Sequence, residues 1–126
     1  MALQGAFGAH ARRLAELGVA TTDVRRPEHL RGVDALVMPG GESTTMSNLL
    51  TTSGLFDEIK ARLSDEMPVL GTCAGMILLA GEVLDGRPDQ RSFGALDVTV
   101  RRNGYGRQVD SFETELDVVG LDEPFH

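Results

Sequence analysis

Apolar residues recur at two different periods along this chain, and the switches between them mark out an order of elements. Phe7, Ala11, Leu14 and Leu17 fall at helical spacing and Gly18 follows where a C-terminal cap is expected, so residues 8–17 read as an amphipathic helix. Residues 19–25 read as a short strand. After the turn-forming Arg26-Pro27, the run Asp34-Ala35-Leu36-Val37-Met38 is apolar and too short for a helix, which suits a strand buried on both faces and ending at Pro39-Gly40-Gly41. Ser43, Thr44 and Thr45 offer capping hydroxyls for a helix running to about Leu50. A second helix is expected over 55–64, with Leu55, Ile59 and Leu63 on one face, Asp57 and Glu58 in its first turn and Lys60 and Arg62 later. A strand over 67–71 and a helix over 75–83 follow. Residues 93–101 and 111–119 alternate, with Leu96, Val98 and Val100 on one face of the first and Phe112, Leu116 and Val118 in the second, so both read as strands.

Strands alternating with helices imply an α/β domain built on an open, mostly parallel sheet with helices on both faces, and ligands of such sheets sit at the carboxyl ends of the strands. Both glycine-bearing turns, 39–43 and 71–75, are expected at that edge.

Composition narrows the partners more than the fold. The 126 residues form one domain at most, with ordinary globular proportions of hydrophobic (41%) and charged (25%) residues. A net charge of -7 opposes a phosphate backbone, so nucleic acid is not expected as a partner. The longest apolar run, Met76 to Ala80, is far below the ~20 residues that span a bilayer, so no membrane is expected and the chain reads as cytoplasmic. A single cysteine excludes an internal disulfide and leaves the thiol for chemistry or packing.

That cysteine sits in Gly71-Thr72-Cys73-Ala74-Gly75, at the change from strand to helix. A nucleophile at such a bend needs small neighbours, because the backbone is strained and other segments approach closely. The following helix would favour thiolate over thiol, and the Ala74 N–H is placed to donate to an oxyanion. The loop "MPGGESTTM", Met38 to Met46, exposes backbone N–H groups after a buried strand, so Gly41 is a candidate for the other half of an oxyanion hole. The lysine of a phosphate loop is missing from it. A third segment, "RRNGYGRQVDSFE" from Arg101 to Glu113, brings three arginines into an acidic chain, as a solvated loop or as a two-pronged grip on a carboxylate.

With these segments in hand, "ALQGAFGAH", "PGGESTTM", "GTCAGMILLA" and "RNGYGRQVDSFE" closely resemble the glutaminase subunits of pyridoxal 5'-phosphate synthase, a group within the class I, triad-type glutamine amidotransferases. The resemblance covers nearly the whole chain, and "PGGEST" with "GRQVDSFE" is much more specific than the elbow. Tyr105 stands where the family more often has phenylalanine. The resemblance implies a flavodoxin-like sheet and hydrolysis of L-glutamine to L-glutamate, with the ammonia delivered to a synthase partner subunit in vitamin B6 biosynthesis. It implies no cofactor and no metal. Carried over by motif, Cys73 is the nucleophile, Gly41 and Ala74 hold the oxyanion, and Gly41, Glu42, Ser43 and Arg102 contact the bound glutamine, a thioester on Cys73 then being cleared by water.

The family completes its site with a histidine and a glutamate in an "SFHPE"-like segment, and with an Ile-Arg pair; neither is here, and the chain stops at "GLDEPFH". His126 lacks the following Pro-Glu, while His10 in the first helix and His29 in a polar turn read as surface residues. Only Met1-Ala2-Leu3 precedes "QG", where the family has a full strand. The expectation is a domain truncated at both ends and inactive as it stands, since loss of the base from a triad costs on the order of 10⁴–10⁶ in turnover. Two other readings are a redox-sensing thiol protein of the related fold, whose elbow cysteine is oxidised rather than acylated, and a non-catalytic remnant that docks on the synthase.

Overall fold

The computed structural model describes residues 1–106, 108–110 and 112–126. Its elements are helix α1 (Phe7–Glu16), a 3₁₀ turn (Pro27–Leu30), strand β1 (Leu36–Met38), helices α2 (Ser43–Thr52) and α3 (Leu55–Ser64), strand β2 (Val69–Gly71), helix α4 (Ala74–Leu79), and strands β3 (Ala80–Leu84) and β4 (Leu96–Arg101), followed by a 3₁₀ turn at Gln108–Asp110. The expected helices over 8–17 and 55–64 are present to within a residue. Gly18 ends α1 as its position predicts: at φ 76° it turns the chain so that its own N–H reaches Ala15 O (3.0 Å) and the Val19 N–H reaches Leu14 O (2.9 Å). In α3, Leu55, Phe56 and Ile59 are buried, and Arg62 extends from the last turn to the carbonyls of Leu30 (2.9 Å) and Val33 (2.8 Å).

β1 and β2 pair in parallel, with Leu36 opposite Val69 and Met38 opposite Gly71, and α2 and α3 form the crossover that a parallel pair requires. β3 and β4 form a second parallel ladder, from Ala80 opposite Leu96 to Leu84 opposite Arg101. The parallel α/β architecture is thus as expected, although the described residues pair as two two-stranded ladders rather than one sheet. Beneath them Met38, Leu50, Ile59 and Leu78 are wholly buried, each stabilising the fold by roughly 1.5–3 kcal/mol. Phe56 stacks on Phe93 with ring centroids 4.5 Å apart. No helix is long and apolar enough to cross a membrane among the described residues.

Four local expectations are corrected. Residues 19–25 join no ladder among the described residues; Val24 is buried, and its carbonyl accepts the Ala2 N–H at 2.8 Å. The helix expected over 75–83 ends at Leu79, because the N–H groups of Phe93 (2.7 Å) and Ala95 (2.9 Å) take the carbonyls of Leu78 and Leu79 that further helical turns would need. The strand expected over 111–119 is reduced to one antiparallel bridge, Leu116 to Phe125, and Phe112, Leu116 and Val118 stay exposed, with Ser111 outside the described residues. The N-cap of α2 is Glu42, not a Ser or Thr hydroxyl: its carboxylate accepts the N–H groups of Thr44 (3.0 Å) and Thr45 (2.6 Å).

Candidate functional site

The parallel pairing of β1 and β2 brings the turns after both strands to one edge, and the thiol lies there. Cys73 occupies the bend between Gly71, the end of β2, and Ala74, the start of α4, with φ 50° and ψ -112°. A non-glycine residue in that region costs roughly 1–3 kcal/mol, and the surrounding packing must hold it. The two flanking glycines explain how. A Cβ on Gly71 would lie 2.7 Å from Leu79 Cδ1 and 2.8 Å from the Gly75 carbonyl carbon, while one on Gly75 would run into the Met38 carbonyl of β1. Backbone bonds from Thr72 N–H to Met38 O (3.1 Å), Gly75 N–H to Thr72 O (2.9 Å) and Ile77 N–H to Cys73 O (3.1 Å) fix the bend. The result is an exposed thiol followed directly by the buried Ala74.

The 39–42 loop closes on this bend through Gly40, a residue that sequence reasoning did not single out. A Cβ there would sit 3.2 Å from Cys73 Cβ and 3.9 Å from its Sγ, so a side chain would press on the Cys73 Cβ and touch the sulfur. Gly41 is exposed, and a Cβ on it would run into the Gln4 carboxamide oxygen. Gln4 was missed as well. Its Oε1 accepts the Glu42 N–H (3.1 Å) and the Ala6 N–H donates to Gly40 O (3.1 Å), so the segment entering α1 holds the loop.

Glu42 and the adjacent Ser43 meet Arg102, 60 positions after Glu42 in sequence, at the N-terminus of α2. Arg102 is 20% exposed and donates through Nη2 to Glu42 Oε1 (3.3 Å) and through Nη1 to Thr44 Oγ1 (3.1 Å) and Gln90 Oε1 (2.8 Å). Gln90 Nε2 in turn donates to the buried Ser43 hydroxyl (3.3 Å). The Thr45 hydroxyl and the N–H groups of Thr45 and Thr44 lower the Glu42 pKa from 4.5 to about 2, so the carboxylate is charged at neutral pH. Arg101 instead pairs with Asp85 (3.1 Å), and Arg107 lies outside the described residues. Thr44 and Gln90 had not been predicted; nothing in a polar loop at 86–92 announces which side chain turns inward.

The histidines need one correction. His10 is not a free surface residue: it is half-buried and its Nε2 lies 3.1 Å from the hydroxyl of Thr72, next to the thiol residue. His29 accepts the Arg25 N–H through Nδ1 at 3.2 Å, and His126 Nε2 lies 4.0 Å from Glu113 Oε2.

Comparison with known proteins bears on all of these residues at once. A family model described as the SNO glutamine amidotransferase family matches residues 1–126. Over 126 residues the chain is 56% identical to pyridoxal 5'-phosphate synthase subunit PdxT of Mycobacteroides abscessus, covering 100% of this chain and 65% of that protein. It is 55% identical over 125 residues to the subunit of the same name from a Nocardioides species, covering 99% of this chain and 62% of the relative. A solved structure described as a crystal structure of glutamine amidotransferase superposes with a TM-score of 0.88 at 46% identity, covering 98% of this chain and 65% of that one. The chain therefore spans a little under two thirds of the length of these relatives.

Proposed function

The chain belongs to the SNO glutamine amidotransferase family, and we propose that it carries the nucleophile and the glutamine-binding groups of a glutaminase that releases ammonia for pyridoxal 5'-phosphate synthesis. In this reading Arg102 takes the α-carboxylate of L-glutamine and Glu42 its α-ammonium, with Ser43 and the Gly41 backbone completing the contacts. Cys73 Sγ attacks the side-chain carboxamide carbon, the C=O electron pair moves to oxygen, and the N–H groups of Gly41 and Ala74 receive the oxyanion. Collapse expels the amine as ammonia once it has gained a proton, leaving a thioester that water cleaves to glutamate and free thiol. The ammonia acceptor is a separate synthase subunit, in keeping with the names of the relatives.

One observation carries this reading: Arg102 reaches Glu42 and Thr44 on the same loop whose Gly40 abuts Cys73. A cation from after β4, a nucleophile from the bend after β2 and an anion on the loop that both meet suit an amino acid with a reactive side chain. A redox-sensing thiol has no use for the charged pair, and that alternative is not favoured. The thiol proton must be taken up by a base that then returns it, as an acid, to the departing amine, and among the described residues the three histidines are bonded to or face Thr72, Arg25 and Glu113 rather than Cys73. The proposal for the chain as it stands is accordingly binding and nucleophilic attack without efficient turnover. The test is labelling of Cys73 by a chloromethyl-ketone analogue of glutamine, read by mass spectrometry. The rate is expected to saturate with reagent, and L-glutamine, but not D-glutamine, is expected to protect. Labelling that rises linearly and ignores L-glutamine would overturn the reading.

A further inference from the structure

We infer that Gln90 is a positioning residue for amino-acid recognition, its carboxamide locking Arg102 and Ser43 into the geometry that receives the amino-acid end of the ligand; the inference rests on the glutamine reading above. The side chain is held at both ends. Its oxygen accepts from Arg102 Nη1 (2.8 Å) and from the Thr44 hydroxyl (3.1 Å), and its nitrogen donates to Ser43 Oγ (3.3 Å). A guanidinium has only donors, so the oxygen must face Arg102, and this fixes which way the amide points.

The backbone beneath it is equally constrained. The N–H of Arg91 donates to Ser47 Oγ (2.8 Å), a wholly buried hydroxyl that donates back to Arg91 O (3.3 Å). The Arg91 guanidinium lies 3.7 Å over the Phe56 ring and pairs with Asp57 (3.2 Å). The loop after β3 is thereby pinned to α2 and α3, and Gln90 is the side chain that this anchorage delivers to the N-terminus of α2.

The consequence for Arg102 follows from counting donors. An arginine has five N–H groups, and among the described residues Gln90 and Thr44 engage Nη1 while Glu42 engages one N–H of Nη2. Nε and the second Nη2 hydrogen remain, a two-pronged edge that matches a carboxylate. Without Gln90 the guanidinium is free to turn toward Glu42 and present a different edge. Leucine at 90 removes both polar ends at similar size, and glutamate keeps the acceptor but sets a second anion beside Arg102.

The experiment uses the whole 126-residue chain and the same chloromethyl-ketone analogue. For Gln90→Leu the half-saturating reagent concentration is expected to rise about tenfold or more, while the limiting alkylation rate stays within about twofold. The rate with iodoacetamide, which uses only the thiol, is also expected to hold. Gln90→Glu is expected to weaken half-saturation as well and guards against a misfolded leucine variant, with circular dichroism confirming that each is folded. Unchanged half-saturation in both variants would overturn the inference while leaving the glutamine reading intact. Non-saturating labelling of the unsubstituted chain would overturn that reading, and this inference with it.

Discussion

Gly75 shows how much of the site is decided by single atoms. Its role is not flexibility, for its φ is not positive; it is the absence of a Cβ that would strike the Met38 carbonyl of the neighbouring strand. Gly75→Ala should therefore push α4 away from β1 and relax the bend that holds Cys73 at φ 50°, at a stability cost of roughly 1–3 kcal/mol or more. Denaturant midpoints give the cost and the iodoacetamide rate at Cys73 reports the bend. An unchanged stability would show that the contact yields freely and that the glycine has another purpose. The spacing of Gly71, Cys73 and Gly75 made this bend legible from sequence, because a small-nucleophile-small pattern is a local steric statement. Gln90 and Gln4 were not legible for the opposite reason: each acts on a residue at least 12 positions away, across 38 positions from Gln4 to Glu42 and 47 from Gln90 to Ser43.

At the scale of elements, helices α1 and α3 could be placed to within a residue because their signal is internal: a stripe at helical spacing, closed by Gly18 for α1 and flanked by charges that suit the helix dipole for α3. Strands carry no such guarantee. Residues 19–25 and 111–119 have the right residue types, yet a ladder exists only where a second strand offers its edge, and alternation says nothing about that. The start of α2 was legible in position and not in agent, since the hydroxyls of Ser43 to Thr45 lie inside the helix and the preceding Glu42 does the capping. That assignment has an acid signature. The folded-state pKa of Glu42, about 2 against 4.5, lies below its unfolded value, so its contribution is present above about pH 4.5 and lost as pH falls toward 2. The side chain is half exposed, and solvent screening discounts the contribution to about 1 kcal/mol. Glu42→Gln is expected to be less stable by about that amount at pH 6, and the gap to the unsubstituted chain should shrink between pH 4.5 and 2.5. Urea unfolding at the three pH values measures it. A gap that stays constant through that window would mean that the charge does not contribute.

For the molecule as a whole, the resemblance carried by a few short segments extends to the entire length, the family model matching residues 1–126. What no motif indicated is how the first residues are used. Met1 is 7% exposed, its ammonium donates to Val37 O at 2.7 Å, and the next residue's N–H donates to Val24 O at 2.8 Å, so the start of the chain lies between β1 and the 19–24 segment. A cavity of about 390 Å³ opens beside it, bordered by α1 and by residues 32–37. Burial lowers the ammonium pKa from 8.0 to about 6, against an opposing attraction from Asp23. Between those values the unfolded chain holds a proton that the folded chain has released, so for a chain that begins at Met1 stability must rise as pH climbs from 6 to 8. The two-unit difference corresponds to roughly 2–3 kcal/mol. An Nα-acetylated chain keeps an N–H for Val37 O and has no ammonium to titrate, so its stability should stay flat over the same range. Urea midpoints of the two forms at pH 5.5, 7 and 8.5 separate the cases: equal slopes would assign the pH dependence to some other group and remove the buried ammonium from the account.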